Sequence, residues 1–437
     1  MWFISTRGGS AVPNISQAMR NGAAPDGGLY VPESMVPMER LPADLPLARL
    51  GALLLRPFFQ DDALQDQLEE ICSEAFDCPV PLVTPDPARP GLSALELFHG
   101  PTGAFKDFGA RFLIACLDRL ADPARPLKLL AATSGDTGGA VGCAAEGRTG
   151  VAAYILYPKG RVSPFQQLQL SCWEAPVQAL EVNGDFDDCQ RLVKEAFADR
   201  KLSDDHNLTS ANSINLGRLL PQMVYLSAAA LELFEKTGVK PGFIIPTGNL
   251  GHGFAALLAR RLGVPIGPVI AATNANRALF DWRRGGAYQP ALSVRTIANA
   301  MDVGAPSNFE RLAKLPHPRG EIEVERVTDA AIRRRIEQDH SKSGYVWCPH
   351  SATAAEAYER LDSARRAERP WVVAATAHPF KFAGIVEPLI GARLSPPPAL
   401  AAVMGRGSQA TPIAATLDAL AGALSRPAQA APQGVAA

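Results

Sequence analysis

The chain has 437 residues, 47% of them hydrophobic and 20% charged, with a formal net charge of −1. That length leaves room for two or three domains and a large buried core, and the near-neutral balance argues against nucleic-acid or membrane binding through bulk charge. Seven cysteines (72, 78, 116, 143, 172, 189 and 348) are scattered without a CxxC pair, which fits reduced thiols rather than a disulfide framework or a zinc site.

The stretch Met1–Arg7 holds too short an apolar run for a secretory signal. No segment approaches the roughly 20 apolar residues that span a bilayer. A soluble, cytoplasmic protein is expected. Residues 1–85 read as a separate, mainly helical lobe. Within it, Asp26–Pro32 forms a turn feeding a short strand, and residues 60–77 place Leu64, Leu68, Ile71, Cys72 and Phe76 at helical spacing. Prolines 79, 81, 85, 87 and 90 then mark a linker.

From about residue 92 the pattern alternates strand, loop and helix. Leu127–Ala132, Val151–Tyr157 and Val177–Val182 read as buried strands, and Asp185–Ala198 as a helix capped by Asp185 or Asp187. Phe243–Pro246 is a strand entering a glycine-rich loop, Phe254–Leu262 is helical, and Val269–Ala272 and Trp371–Ala375 complete the strand set. Such alternation predicts an α/β fold with parallel sheets covered by helices, and ligands at the carboxyl ends of strands. The division expected is 1–85, 86–400 and 401–437. The last segment is rich in Ala, Pro and Gly, and reads as one helix followed by a disordered tail.

Lys106 stands out. It lies in His99-Gly100-Pro101-Thr102-Gly103-Ala104-Phe105-Lys106-Asp107-Phe108-Gly109, flanked by two phenylalanines and two glycines. Desolvation there disfavours the ammonium form and makes the amine nucleophilic enough for a Schiff base. Asp107 pulls the other way, and a structural Lys106–Asp107 pair is the competing reading.

The loop Gly248-Asn249-Leu250-Gly251-His252-Gly253 sits where backbone N–H groups and a helix N-terminus can bind phosphate, or where a tight turn merely needs glycine. Gly251-x-Gly253-x-x-Ala256 also matches a weak dinucleotide fingerprint. That fingerprint expects an acid about 20 residues on, and here Ala271–Asn276 has none before Asp281. No GK[ST] follows either glycine-rich loop, and neither HExxH nor GxSxG occurs. His99 and His378 are read as turn or core histidines. A phosphate-holding loop, a reactive lysine and no metal constellation suggest pyridoxal phosphate.

At this point the chain resembles the threonine synthase family, pyridoxal-phosphate enzymes of the tryptophan synthase β fold type. The resemblance rests on Ser5–Gly8, Ala24–Pro32, His99–Gly109, Thr133–Gly138, Asn212–Asn215 with Arg218, Met301–Gly304 and Thr376–Pro379, roughly residues 2 to 385. It implies two parallel-sheet α/β domains with the active site between them, beside an extra N-terminal lobe. It also implies conversion of O-phospho-L-homoserine and water to L-threonine and phosphate with pyridoxal 5'-phosphate.

The resemblance gives Lys106 the roles of Schiff-base lysine and proton carrier at Cα and Cβ. Gly248, Asn249, Leu250, Gly251 and His252 hold the cofactor phosphate through backbone amides, and Thr376 faces the pyridine nitrogen. Ser134, Gly135 and Thr137 bind the substrate carboxylate. Asp136, on the cofactor's O3′ side, is read mainly as a cap of the following helix. Arg218, with Asn212 and Ser213, binds the substrate phosphate; taken alone, Arg218 would read as an exposed helix charge near Pro221.

Leu250 and His252 stand where the family commonly has Phe and Asn or Asp, Ala305 where an asparagine is usual, and Phe380 where a small residue is expected. A phospho-lyase yielding 2-oxobutyrate, ammonia and phosphate would share the same residues. A nicotinamide-dependent oxidoreductase and a non-catalytic regulator are the more distant readings. A monomer or homodimer acting on a small molecule is expected.

Overall fold

In the computed structural model the described residues are 1–39, 41–133 and 135–426. Ser134 and residues 427–437 lie outside them, so the expectations of a substrate contact at Ser134 and a tail at the C-terminus fall outside the described residues.

The chain opens with a small antiparallel sheet, in which β1 (Phe3–Ser5) is flanked by β2 (Ala11–Val12) and β3 (Tyr30–Pro32). The turn before β3 is tied down by Asp26, whose carboxylate accepts from Ser5 Oγ at 2.7 Å, Gly28 N at 2.9 Å and Gly9 N at 2.8 Å. Helices follow at Leu47–Leu55 and Leu68–Ala75. The expected helix over 60–77 is therefore shorter, because a 3₁₀ turn at Gln65–Gln67 occupies its first part.

The proline-rich linker is not wholly irregular. It contains β4 (Leu82–Val83), which pairs antiparallel with β5 (Leu92–Glu96) at the edge of a sheet. Prolines are tolerated at an edge because one side of the strand needs no ladder donors.

The chain then leaves this sheet to build a second one. Its strands β6 (Leu127–Ala132), β7 (Val151–Pro158), β8 (Val177–Asn183) and β9 (Leu208–Ser210) are all parallel. The first three coincide with the expected runs to within a residue. The helix Phe186–Ala198 is capped by Asp185, whose side chain accepts from Asp188 N at 2.9 Å.

The first sheet is completed by β10 (Gly242–Pro246), β11 (Val269–Thr273), β12 (Glu323–Arg326) and β13 (Trp371–Ala375), in the order β12-β11-β10-β13-β5-β4. All are parallel except β4. Near-continuous burial along β7, β10, β11 and β13 reflects helices on both faces.

The last segment departs from expectation. β14 (Thr411–Ala414) adds in parallel to β8, and the helix Leu417–Leu424 buries Leu420, Ala423 and Leu424. Only Ile413 of the strand is buried, so its four residues carry no alternation that the sequence could reveal. Among the described residues no helix is long and apolar enough to cross a membrane.

Candidate active site

The carboxyl ends of β6, β9, β10 and β13 converge on a cavity of about 270 Å³ between the two sheets. Lys106 reaches it as the first residue of the helix Lys106–Leu120. The approach is fixed by backbone: Phe105 N–H donates to the Thr376 carbonyl at 2.9 Å, and Ala104 bridges Ala377. Both phenylalanines beside the lysine point inward. Phe105 stacks on His252 with ring centroids 4.6 Å apart, and Phe108 stacks on Phe76 at 6.1 Å.

Lys106 Nζ donates to Thr137 Oγ1 at 2.8 Å. Burial pulls its pKa down to about 8, opposed by Asp136 and reinforced by Arg218 and Lys381. The competing pair with Asp107 does not form. Asp107 is buried and turned away, accepting from both Thr102 N at 3.0 Å and Thr102 Oγ1. Burial raises its pKa against those bonds.

Asp136 lines the cavity but does not cap its helix, whose N-cap is Gly135 with no side-chain bond. Its carboxylate instead pairs with Lys381 Nζ at 2.9 Å, and Lys381 also donates to the Thr102 carbonyl at 2.7 Å. Burial opposes the charge on Asp136, but Lys381 and Lys106 hold its pKa down to about 2. Gly135 sits at φ +146°, and a Cβ there would collide with Gln166, so the position requires glycine. Gly135 does not line the cavity, whereas Thr137 does.

The loop after β10 carries Gly248, Asn249, Leu250, Gly251 and His252 into the wall. Leu250 adopts φ +64° and precedes the helix Gly251–Arg261, which has no side-chain cap, so its first N–H groups are free for an anion. A Cβ on Gly248 would lie 2.8 Å from Met301 Cα, leaving room only for bare backbone. Asn249 is held by Ser213 Oγ at 2.7 Å, and its carbonyl by Asn308 Nδ2 at 3.0 Å. The His252 ring is buried, with neither nitrogen hydrogen-bonded among the described residues, and burial drives its pKa down to about 3. These features fit a phosphorylated aldehyde cofactor: an uncapped helix terminus, a glycine cradle and a desolvated amine face one space.

Arg218 is buried, not exposed. Its Nη1 donates to the Ala211 carbonyl, Nε has no partner, and no carboxylate pairs with it among the described residues. Burial lowers its pKa to about 10, opposed by Asp107 and Tyr225. Ser213 Oγ accepts from Asn249, which leaves its own proton free to donate. The Asn212 amide is already engaged, donating to the Ala132 carbonyl at 2.8 Å and accepting from Ala132 N at 3.2 Å. Thr376 closes the wall at the end of β13. His99 and His378 bond locally, to Glu96 and to Phe380 N.

Two neighbours of Lys106 were not foreseen. Lys381 lies in the apolar run His378-Pro379-Phe380-Lys381-Phe382, the same kind of setting that singled out Lys106. His350, held neutral by burial at a pKa of about 4, accepts from Ala300 N at 3.1 Å and lines the cavity.

Residues 88–377 match the family described as pyridoxal-phosphate dependent enzyme. Residues 2–76 match threonine synthase N terminus, and residues 351–423 match threonine synthase, C-terminal. A threonine synthase of Haemophilus influenzae is 36% identical over 392 residues, spanning 88% of this chain and 90% of that protein. One of Escherichia coli is 36% identical, spanning 89% and 91%. The crystal structure of threonine synthase from Escherichia coli superposes with a TM-score of 0.89 at 33% identity, covering 97% of this chain and 99% of that one. The pyridoxal-phosphate-bound enzyme from Brucella melitensis gives 0.88 at 34% identity, covering 98% and 100%.

Proposed function

The chain belongs to the threonine synthase family, and from that premise we propose that the cavity around Lys106 converts O-phospho-L-homoserine and water to L-threonine and phosphate. Bound pyridoxal phosphate supplies the electron sink. The free N–H groups at the start of the helix Gly251–Arg261 would hold the cofactor phosphate, with the bare backbone at Gly248 leaving room beside it. Thr376 would meet the ring nitrogen with a hydroxyl, which offers no negative charge to stabilise a protonated ring.

The observation that carries the reading is Lys106 itself, a desolvated amine with its pKa near 8 and its Nζ aimed by Thr137. An amine of that basicity both attacks an aldehyde and moves protons at Cα and Cβ near neutral pH. Arg218 supplies the planar cation for the substrate phosphate. Ser213 adds a hydroxyl donor, while Asn212 braces the end of β6 and acts through its backbone position. The catalytic region at 86–400 then takes in β4 and β14 as well, which belong to its two sheets, with the lobe that precedes β4 on one flank.

The test is product analysis after supplying O-phospho-L-homoserine to the cofactor-loaded protein. Threonine and phosphate released one for one is the expected result. Phosphate accompanied by 2-oxobutyrate would make the protein a lyase on the same residues, and no phosphate would overturn the substrate assignment.

A further inference from the structure

Two carboxylates neighbour Lys106, Asp107 beside it in the chain and Asp136 on the wall of the same cavity, and neither is bonded to its amine. Asp107 is taken by Thr102, and Asp136 by Lys381. Thr102 serves both arrangements, since its carbonyl anchors Lys381 while its N–H and hydroxyl anchor Asp107. The Lys381 side chain is fully enclosed, and it approaches from the segment after β13 while Asp136 approaches from the segment after β6. Lys106 therefore meets the neutral hydroxyl of Thr137, one residue beyond Asp136.

We propose that Lys381 is a positioning residue that occupies Asp136 from across the cleft and so keeps the Lys106 amine free to condense with the cofactor aldehyde. The proposal rests on Lys106 being the Schiff-base lysine. In that condensation the amine nitrogen forms the C=N bond and the aldehyde oxygen leaves as water. Only the unprotonated amine reacts, so a carboxylate that captured the ammonium would slow the step.

Among the described residues Arg218 is a further cation acting on the amine, His350 is neutral, Asp107 faces Thr102, and His252, Asp187, Lys194 and Asp302 line the same cavity. Removing Lys381 leaves Lys106 as the nearest cation for Asp136. A buried carboxylate that loses its partner recruits the next available one, because an unpaired buried charge is costly.

The experiment follows capture of pyridoxal phosphate by the apoprotein across pH, reading growth of the absorption band and locating the borohydride-reduced adduct by mass spectrometry. Lys381→Met should move the midpoint of the rate profile upward by about one pH unit, which slows capture about tenfold below the midpoint. Asp136→Asn added to Lys381→Met should return the midpoint to the wild-type value, since the captor is gone. This double variant leaves no unpaired charge at either substituted position and so guards against a folding defect in the single one. Lys381→Arg should leave the midpoint in place.

An unmoved midpoint in Lys381→Met, or a double variant that stays shifted, overturns the proposal. An adduct on wild-type Lys106 with either of those results sinks this proposal alone. Absence of any adduct on wild-type Lys106 sinks the functional reading and this proposal with it.

Discussion

Phe105 donates its backbone N–H to the carbonyl of Thr376 at 2.9 Å, so the lysine that opens one helix and the hydroxyl that ends β13 are set side by side by main chain alone. Their geometry does not depend on either side chain, which makes the two separable by substitution. Thr376→Val keeps the backbone bond and the shape. It is expected to leave Lys106 able to take up the cofactor while lowering kcat by about 10- to 100-fold. Lys106→Ala is expected to abolish both. Absorbance titration alongside steady-state rates distinguishes the two, and loss of cofactor uptake in Thr376→Val would contradict the assignment.

Arg218 has no anionic partner among the described residues, which leaves its charge available to a ligand. Arg218→Ala is expected to raise KM for O-phospho-L-homoserine by about 100-fold. Arg218→Lys should recover only part of this, because a point charge does not reproduce the planar fork. Uptake of pyridoxal phosphate should be unchanged in both, and a KM within threefold of wild type would show that the substrate phosphate sits elsewhere.

Asn212 is a brace. Its two bonds to Ala132 join the segment after β9 to the end of β6. Asn212→Ala leaves a partly buried N–H and C=O without partners, at a cost of about 1–3 kcal/mol. Urea unfolding should report that loss. A stability equal to wild type together with a selective rise in KM would instead make the amide a substrate contact.

The buried imidazole of His252 predicts acid sensitivity with a definite sign. Its folded pKa of about 3 lies below the ordinary value of 6.5. As pH falls below 6.5 the unfolded chain takes up a proton that the folded chain does not, so stability drops down to about pH 3. Between pH 7 and pH 5 this one ring should account for a loss of about 1–2 kcal/mol. His252→Phe, seated between Phe105 and Tyr225, should flatten that slope. Denaturation midpoints at the two pH values measure it, and a slope unchanged from wild type would refute the cause.

Leu420 is fully buried on the C-terminal helix that backs the second sheet. Leu420→Ala is expected to destabilise by about 2–4 kcal/mol. Thermal unfolding would register a clear drop in Tm. A surface-like effect below 0.5 kcal/mol would mean that the helix does not dock in solution.

Much of this architecture was legible because parallel strands buried on both faces write themselves as unbroken apolar runs. Leu127–Ala132 and Trp371–Ala375 emerged with their limits correct for that reason. β4 and β14 did not, since an edge strand of two to four residues buries too little to leave a pattern. In the site, the apolar frame of Lys106 was readable from its neighbours. The fate of Asp107 and Asp136 was not: Asp107 turns back to Thr102 through a loop geometry that spacing does not encode, and Asp136 meets Lys381 across 245 positions of chain. Arg218 is instructive too: its surroundings in sequence suggest a surface charge, and only the packing of Gly109 against it, with Arg218 Nε 3.2 Å from where a Cβ would be, shows why it is interior.

The order of strands in the six-stranded sheet sets a timetable for synthesis. β5 lies beside β13, and the whole second sheet except β14 is made between them. On a ribosome, β6 to β9 can pair as soon as residue 210 has emerged, whereas β5, paired until then only with β4, waits for residue 371 before its second neighbour exists. Domains form as units while the chain is still being made, so here the inserted half folds before its host. Until the last strands arrive, β5 is an open edge available to other chains. The cleft that carries Lys106 is thus among the last parts of the molecule to come into being.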